Sequence, residues 1–143
     1  MDIFDAYQMD DSAVTDGVWA ELVLLGNRVG GLKVRPSDGD LNLDYRKGLT
    51  KAAEALLKMK TKEGEIDVDK SVEMTARLYA DTIITDWELY TKGPDGEDVA
   101  IEFSKEKCVE LLIKLPKLLK AAQDAAKGWT QFRRSALAEA KND

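Results

Sequence analysis

Between Ile83 and Leu118 the hydrophobic period of the chain changes from helical to alternating and back, so no single element can span the stretch. Apolar residues at helical spacing run up to Ile83 and Trp87, and from Trp87 to Tyr90 the spacing gives way to alternation. Gly93-Pro94-Asp95-Gly96 is a strong turn signal, after which Val99, Ile101 and Phe103 alternate with Asp98, Ala100 and Glu102. Ser104 stands at an N-cap position ahead of Cys108, Leu111, Leu112 and Leu115 at helical spacing. The stretch therefore predicts a helix end, a short hairpin and a new helix, with Trp87, Val99, Ile101 and Phe103 facing inward. Pro116 suits only a first helical turn, so Lys114 to Lys117 joins two helices.

The flanks are read as packing onto this centre. Met1 to Asp16 is acidic and weakly patterned; Ile3, Phe4 and Tyr7 could dock a helical turn, but a flexible, frayed terminus over 1–16 is the preferred reading. Gly17 opens a strand-like run through Leu25, Gly26-Asn27 and Gly30-Gly31 bracket a turn, and Leu32 to Arg35 alternates before Pro36. That is a hairpin whose buried face carries Leu32 and Val34. Asp40 or Asp44 can cap a helix with its stripe at Tyr45, Leu49, Ala52, Leu56 and Met59, widened by Ala53 and Leu57 and ending near Gly64. Asp67 or Asp69 caps the next, whose inward positions are Val72, Ala76, Tyr79, Ile83 and Trp87. The last helix repeats Leu118, Ala122, Ala125, Trp129, Phe132 and Ala136 as a heptad-like seam. The architecture predicted is α+β and mostly helical: about four main helices, an N-terminal β-hairpin and a short central one, in a single globular domain over 17–143.

Composition enters chiefly by exclusion. The 143 residues suffice to bury roughly two thirds of the unfolded surface. A net charge of −6 argues against a phosphate-backbone binder. Histidine is absent, which removes the commonest general base and metal ligand, and the one cysteine, Cys108, falls among apolar residues as a structural thiol. Asp38-x-Asp40-x-Asn42 has the outward spacing of a calcium loop but fails, with Leu43 in place of its Gly and Leu49 in place of its Glu. The abundant carboxylates form no recognisable catalytic motif, and no phosphate loop or nucleophile elbow is present. No apolar run is long enough to span a bilayer, and the acidic start is unlike a signal peptide. No cofactor, nucleic acid or membrane is expected, and residues alone define no chemistry.

The candidate site is instead a surface for another chain. The C-terminal helix either packs on the domain's own core or projects beyond Gly128, over 128–143, to offer Trp129, Phe132, Arg133 and Leu137 to a partner. Aromatic residues and Arg are the usual anchors of interfaces. Trp19 of the N-terminal hairpin completes the candidate set.

The central stretch resembles the tail assembly chaperones of long-tailed double-stranded DNA bacteriophages. The likeness rests on Ile83, Ile84, Trp87 and Leu89, on Asp95-Gly96, on Val99-x-Ile101-x-Phe103-Ser104-x-Glu106, and on Leu111-Leu112-x-x-Leu115-Pro116-x-Leu118. Gly17-Val18-Trp19 with a second strand and helix extends it to most of residues 17–135. These are packing and turn motifs. The resemblance implies a non-enzymatic assembly factor of the host cytoplasm, absent from the finished virion, whose partners are the tape measure protein and the tail tube protein. A longer −1 frameshift product is a further implied partner: Ala140-Lys141-Asn142 is what a slippery A AAA AAC run would encode if Ala140 uses GCA. Self-association is allowed. The competing reading is a structural virion component, a tail or head–tail connector protein.

Overall fold

A computed structural model describes residues 1–58 and 67–141, excepting the side chains of Leu137, Ala140 and Lys141. The expected Met59 and Gly64 lie outside the described residues. The architecture is α+β and mostly helical, with four long helices and two hairpins, as the patterning predicts.

The first hairpin joins β1 (Val18–Leu24) to β2 (Asn27–Val34), pairing Val18 with Val34 and Leu24 with Asn27. Its turn is Leu25-Gly26, both at positive φ (52° and 81°), the pattern whose twist matches a two-residue hairpin. This corrects the expected turn between Gly26-Asn27 and Gly30-Gly31: both later glycines lie within β2 and are buried. Gly30 is needed there for close approach, since a Cβ on it would stand 2.3 Å from the Glu88 carbonyl oxygen. Leu32 and Val34 are fully buried, as their alternation requires.

A third strand, β3 (Ile84–Glu88), pairs antiparallel with β2 and completes a sheet of order β1-β2-β3. Here the helical reading of Ile83 and Trp87 is corrected. Helix α4 stops at Thr82, and the β-branched run Ile83-Ile84-Thr85 enters the sheet, where branched side chains are at home. Trp87 is nonetheless core: its Nε1–H donates to the Ile101 carbonyl (2.8 Å), and its ring meets Phe103 edge-on at 5.0 Å. The central hairpin exists but is short, β4 (Tyr90–Lys92) with β5 (Asp98–Ala100). Val99 faces water at 40% exposure rather than the core, because no layer covers this hairpin; Ile101 and Phe103, just beyond it, are half-buried.

Helix α3 (Leu43–Lys58) is capped by Asn42, not by Asp40 or Asp44. The Asn42 Oδ1 accepts from the Tyr45 N–H (3.0 Å), while its Nδ2 donates to the Pro36 and Thr82 carbonyls (3.1 and 2.9 Å). An aspartate could cap but could not donate, and this side chain is fully buried. Leu49 and Leu57, expected in the stripe, are exposed; α3 approaches α4 (Val68–Thr82) through Gly48, where a Cβ would sit 2.7 Å from Leu78 Cδ1. Asp67 caps α4, and Ser104 caps α5 (Lys105–Lys114). Pro116 opens α6 (Pro116–Lys127), and Leu115 at the join turns outward. Leu32, Val34, Ala76, Ile83, Leu112 and Ala122 are at the centre of the main hydrophobic cluster among the described residues, where the sheet meets α4, α5 and α6.

The expected continuous last helix is broken. It ends at Lys127, Gly128 is extended (ψ 158°), a 3-10 turn covers Thr130–Phe132, and α7 runs Ala136–Lys141. The break lets Phe132 turn into the body, where it is fully buried. The acidic N-terminus, read as a frayed end, instead forms α1 (Ile3–Tyr7) and α2 (Asp11–Asp16), capped by Asp2 and Asp10. It lies along the C-terminal segment: the Asp10 N–H donates to the Phe132 carbonyl and the Arg134 N–H to the Gln8 carbonyl, both at 2.8 Å.

Candidate partner-binding surface

The candidate residues whose side chains are described, Trp19, Trp129, Phe132 and Arg133, do not form one patch. Phe132 is interior, anchoring the segment after Gly128. Trp129 is 39% exposed and stacks on Tyr7, with centroids 5.8 Å apart and planes 9° from parallel. Arg133 is held rather than presented. Its guanidinium pairs with Glu139, its Nε donates to the Thr130 carbonyl (2.8 Å) and its Nη1 to the Asp5 carbonyl (3.4 Å). The side chain of Leu137 lies outside the described residues.

Trp19 is half exposed on the outer face of β1. It shares an open groove of about 920 Å³ with Arg133 and Arg134; Ala13 and Asp16 of α2 and Lys33 of β2 also line it. The groove follows from the paired termini, which place the C-terminal segment beside the start of β1. Its lining charges are balanced, Lys33, Arg133 and Arg134 against Asp10, Asp16 and Glu139, so it selects for neither an anion nor a cation. Asp10 is held below the ordinary carboxylate range by the Ala13 N–H and the Ser12 hydroxyl, which fits an N-cap.

Elsewhere the titratable groups have structural explanations. Burial, with Asp81 nearby, pushes the Cys108 thiol up to about 12, so it is a poor nucleophile. Burial likewise raises Tyr79, whose ring lies edge-on to Tyr45. Among the described residues no group of three or more His, Cys, Asp or Glu could hold a metal ion. Among the same residues no helix is long and apolar enough to cross a membrane.

Further exposed apolar residues lie on the first hairpin: Val23, Leu24, Leu25 and Val29. They read as strand residues with a buried side. Their exposure follows from the turn at Leu25-Gly26, which carries both strands past the end of the core; the two consecutive positive-φ positions are invisible in a Leu-Gly dipeptide.

Fold and surface together define a small, mostly helical α+β protein whose described surface offers exposed apolar side chains. Residues 39–142 match the family model described as YdaY prophage protein, and the chain belongs to that family. It is therefore a phage protein, which is the broader part of what the central stretch implied; the family description names neither a tail nor a chaperone. The match begins after the β1–β2 hairpin. No curated protein and no solved structure matches the chain.

Proposed function

We propose that this protein is a tail assembly chaperone that binds and solubilises the tape measure protein and helps recruit tail tube subunits during tail morphogenesis. In this reading it works in the host cytoplasm, without catalysis, and leaves before the virion is finished. The observation that carries the reading is the placement of apolar surface. Side chains such as Leu25, Leu24, Phe4 and Leu57 remain more than half exposed on an otherwise highly charged domain. A factor that shields long apolar helices needs such surface, and a charged body keeps the resulting complex soluble. Membership of a prophage family and the likeness of the central stretch support the same reading.

The test is co-expression with the tape measure protein of the same prophage, followed by affinity capture and by mass spectrometry of purified particles. The expected result is a soluble complex, with this chain missing from the particles. A tape measure protein that stays insoluble and uncaptured overturns the proposal, and recovery of the chain in the particles makes it a virion component.

A further inference from the structure

We infer that the outer edge of β1 is a strand-docking site, and that its occupant is an extended segment of a partner protein, added to the sheet as a fourth strand. The inference is independent of the tape measure reading, which rests on exposed side chains elsewhere, whereas this site is made of main chain. The sheet order β1-β2-β3 leaves β1 at a rim. Which of its main-chain groups face outward follows from β2. The Arg35 N–H donates to the Ile83 carbonyl at the head of β3 (2.8 Å), and the Lys33 carbonyl accepts from the Thr85 hydroxyl of β3 (3.4 Å). Lys33 and Arg35, two residues apart, thus aim their main chain at β3. Trp19 lies opposite Lys33, and Glu21 opposite Gly31, the next residue in that alternation. Such antiparallel pairs point away from each other, so the N–H and C=O of Trp19 and Glu21 face out of the sheet. Among the described residues no main-chain bond outside the sheet engages them.

The edge is open at these residues. The groove of about 920 Å³ is lined by Val18, Trp19 and Ala20. Consecutive strand residues alternate between faces, so the groove meets the rim of β1 rather than one face. Proteins blunt such an edge with Lys, Pro or a bulge. Val18 to Leu22 contains neither residue, and the bulge comes only between Leu22 and Val23. Trp19, 48% exposed, stands beside the outward groups as an apolar contact for a side chain of the added strand.

The occupant follows from what those groups accept. Donors and acceptors alternating at strand spacing are matched by another extended backbone. The balanced charges lining the groove suit an uncharged backbone and attract no ion. A second copy does not fit. Paired strands lie about 4.8 Å apart, and each copy would bring its own α2 and its Thr130–Phe132 turn, which line the groove, into the same gap. A single extended segment carries no such walls.

Panning random peptides of about the length of β1 on the full chain tests this, with the selected peptides measured by fluorescence polarisation. Glu21→Pro removes one outward N–H and no bond to β2, a change an edge strand tolerates. Glu21→Ala lacks the same side chain but keeps the N–H. The expected result is peptides with alternating β-branched or aromatic residues that bind Glu21→Pro at least about tenfold more weakly than Glu21→Ala. Methylating alternate peptide nitrogens should abolish binding in one phase and spare it in the other, and amide exchange at Trp19 and Glu21 should slow in the complex. Should Glu21→Pro misfold, those two readouts on the wild type decide. Failure to enrich any peptide, peptides that bind Glu21→Pro as tightly, or wild-type self-association that Glu21→Pro abolishes would each overturn the inference.

Discussion

Tyr7 and Trp129, from opposite ends of the chain, stack nearly parallel with centroids 5.8 Å apart. Around them Met9 and Arg133 form a β-bridge, and the Ser135 hydroxyl donates to the Asp5 carbonyl at 2.8 Å. The two termini thus close on each other. Because both rings are partly in water, the pair contributes modestly. Tyr7→Ala and Trp129→Ala are each expected to cost about 1 kcal/mol, with a coupling of about 0.5–1.5 kcal/mol in a double-mutant cycle of urea unfolding. Additive losses would show that the stack carries no energy.

Asn42 has a larger effect. It is fully buried and ties the start of α3 to the Pro36 carbonyl and to the end of α4. Asn42→Ala leaves two buried carbonyls and one helix N–H unpaired, and about 3 kcal/mol of destabilisation is expected. Asn42→Asp keeps the cap but loses both donors, so urea midpoints should rank wild type above both variants.

Two glycines that both meet close neighbours should respond differently to Ala. At Gly30 the obstacle is the Glu88 carbonyl at 2.3 Å, backbone that cannot move without parting β2 from β3. At Gly48 it is the tip of Leu78, a flexible side chain at 2.7 Å, and Ala gains helix propensity. Thermal unfolding should show Gly30→Ala losing about 2 kcal/mol or more and Gly48→Ala less than about 1 kcal/mol.

The buried thiol of Cys108 gives a pH prediction. Its folded value, about 12, lies above the ordinary 9.0, with burial as the main cause. The folded protein keeps this proton where the unfolded chain has lost it. The contribution is therefore fully present below pH 9 and declines as pH rises from 9 toward 12. Cys108→Ala should flatten that alkaline fall, as read from denaturation midpoints. A thiol reagent at neutral pH should label Cys108 only after denaturant is added.

The elements and their order follow from local signals. Ser104 and Asp67 cap because a short oxygen-bearing side chain precedes an apolar stripe, Pro116 starts a helix because it can start nothing else, and Leu32 and Val34 alternate onto one face. The failures share one cause. Whether Ile84–Glu88 continues a helix or joins the sheet depends on β2 being alongside, and that pairing is long-range. Asn42 outranks Asp40 and Asp44 only because two carbonyls from distant segments converge on it.

The surface divides in the same way. By itself the sequence determined an α+β domain with one apolar core, helix boundaries marked by caps and prolines, and a phage-like central stretch, since each is written in neighbouring residues. Only the tertiary structure decided that Phe132 is interior and Arg133 is tied to Glu139, that the termini meet, and that Leu25 stands free at the end of a hairpin. Burial is a property of what lies across from a residue, and no local pattern specifies that.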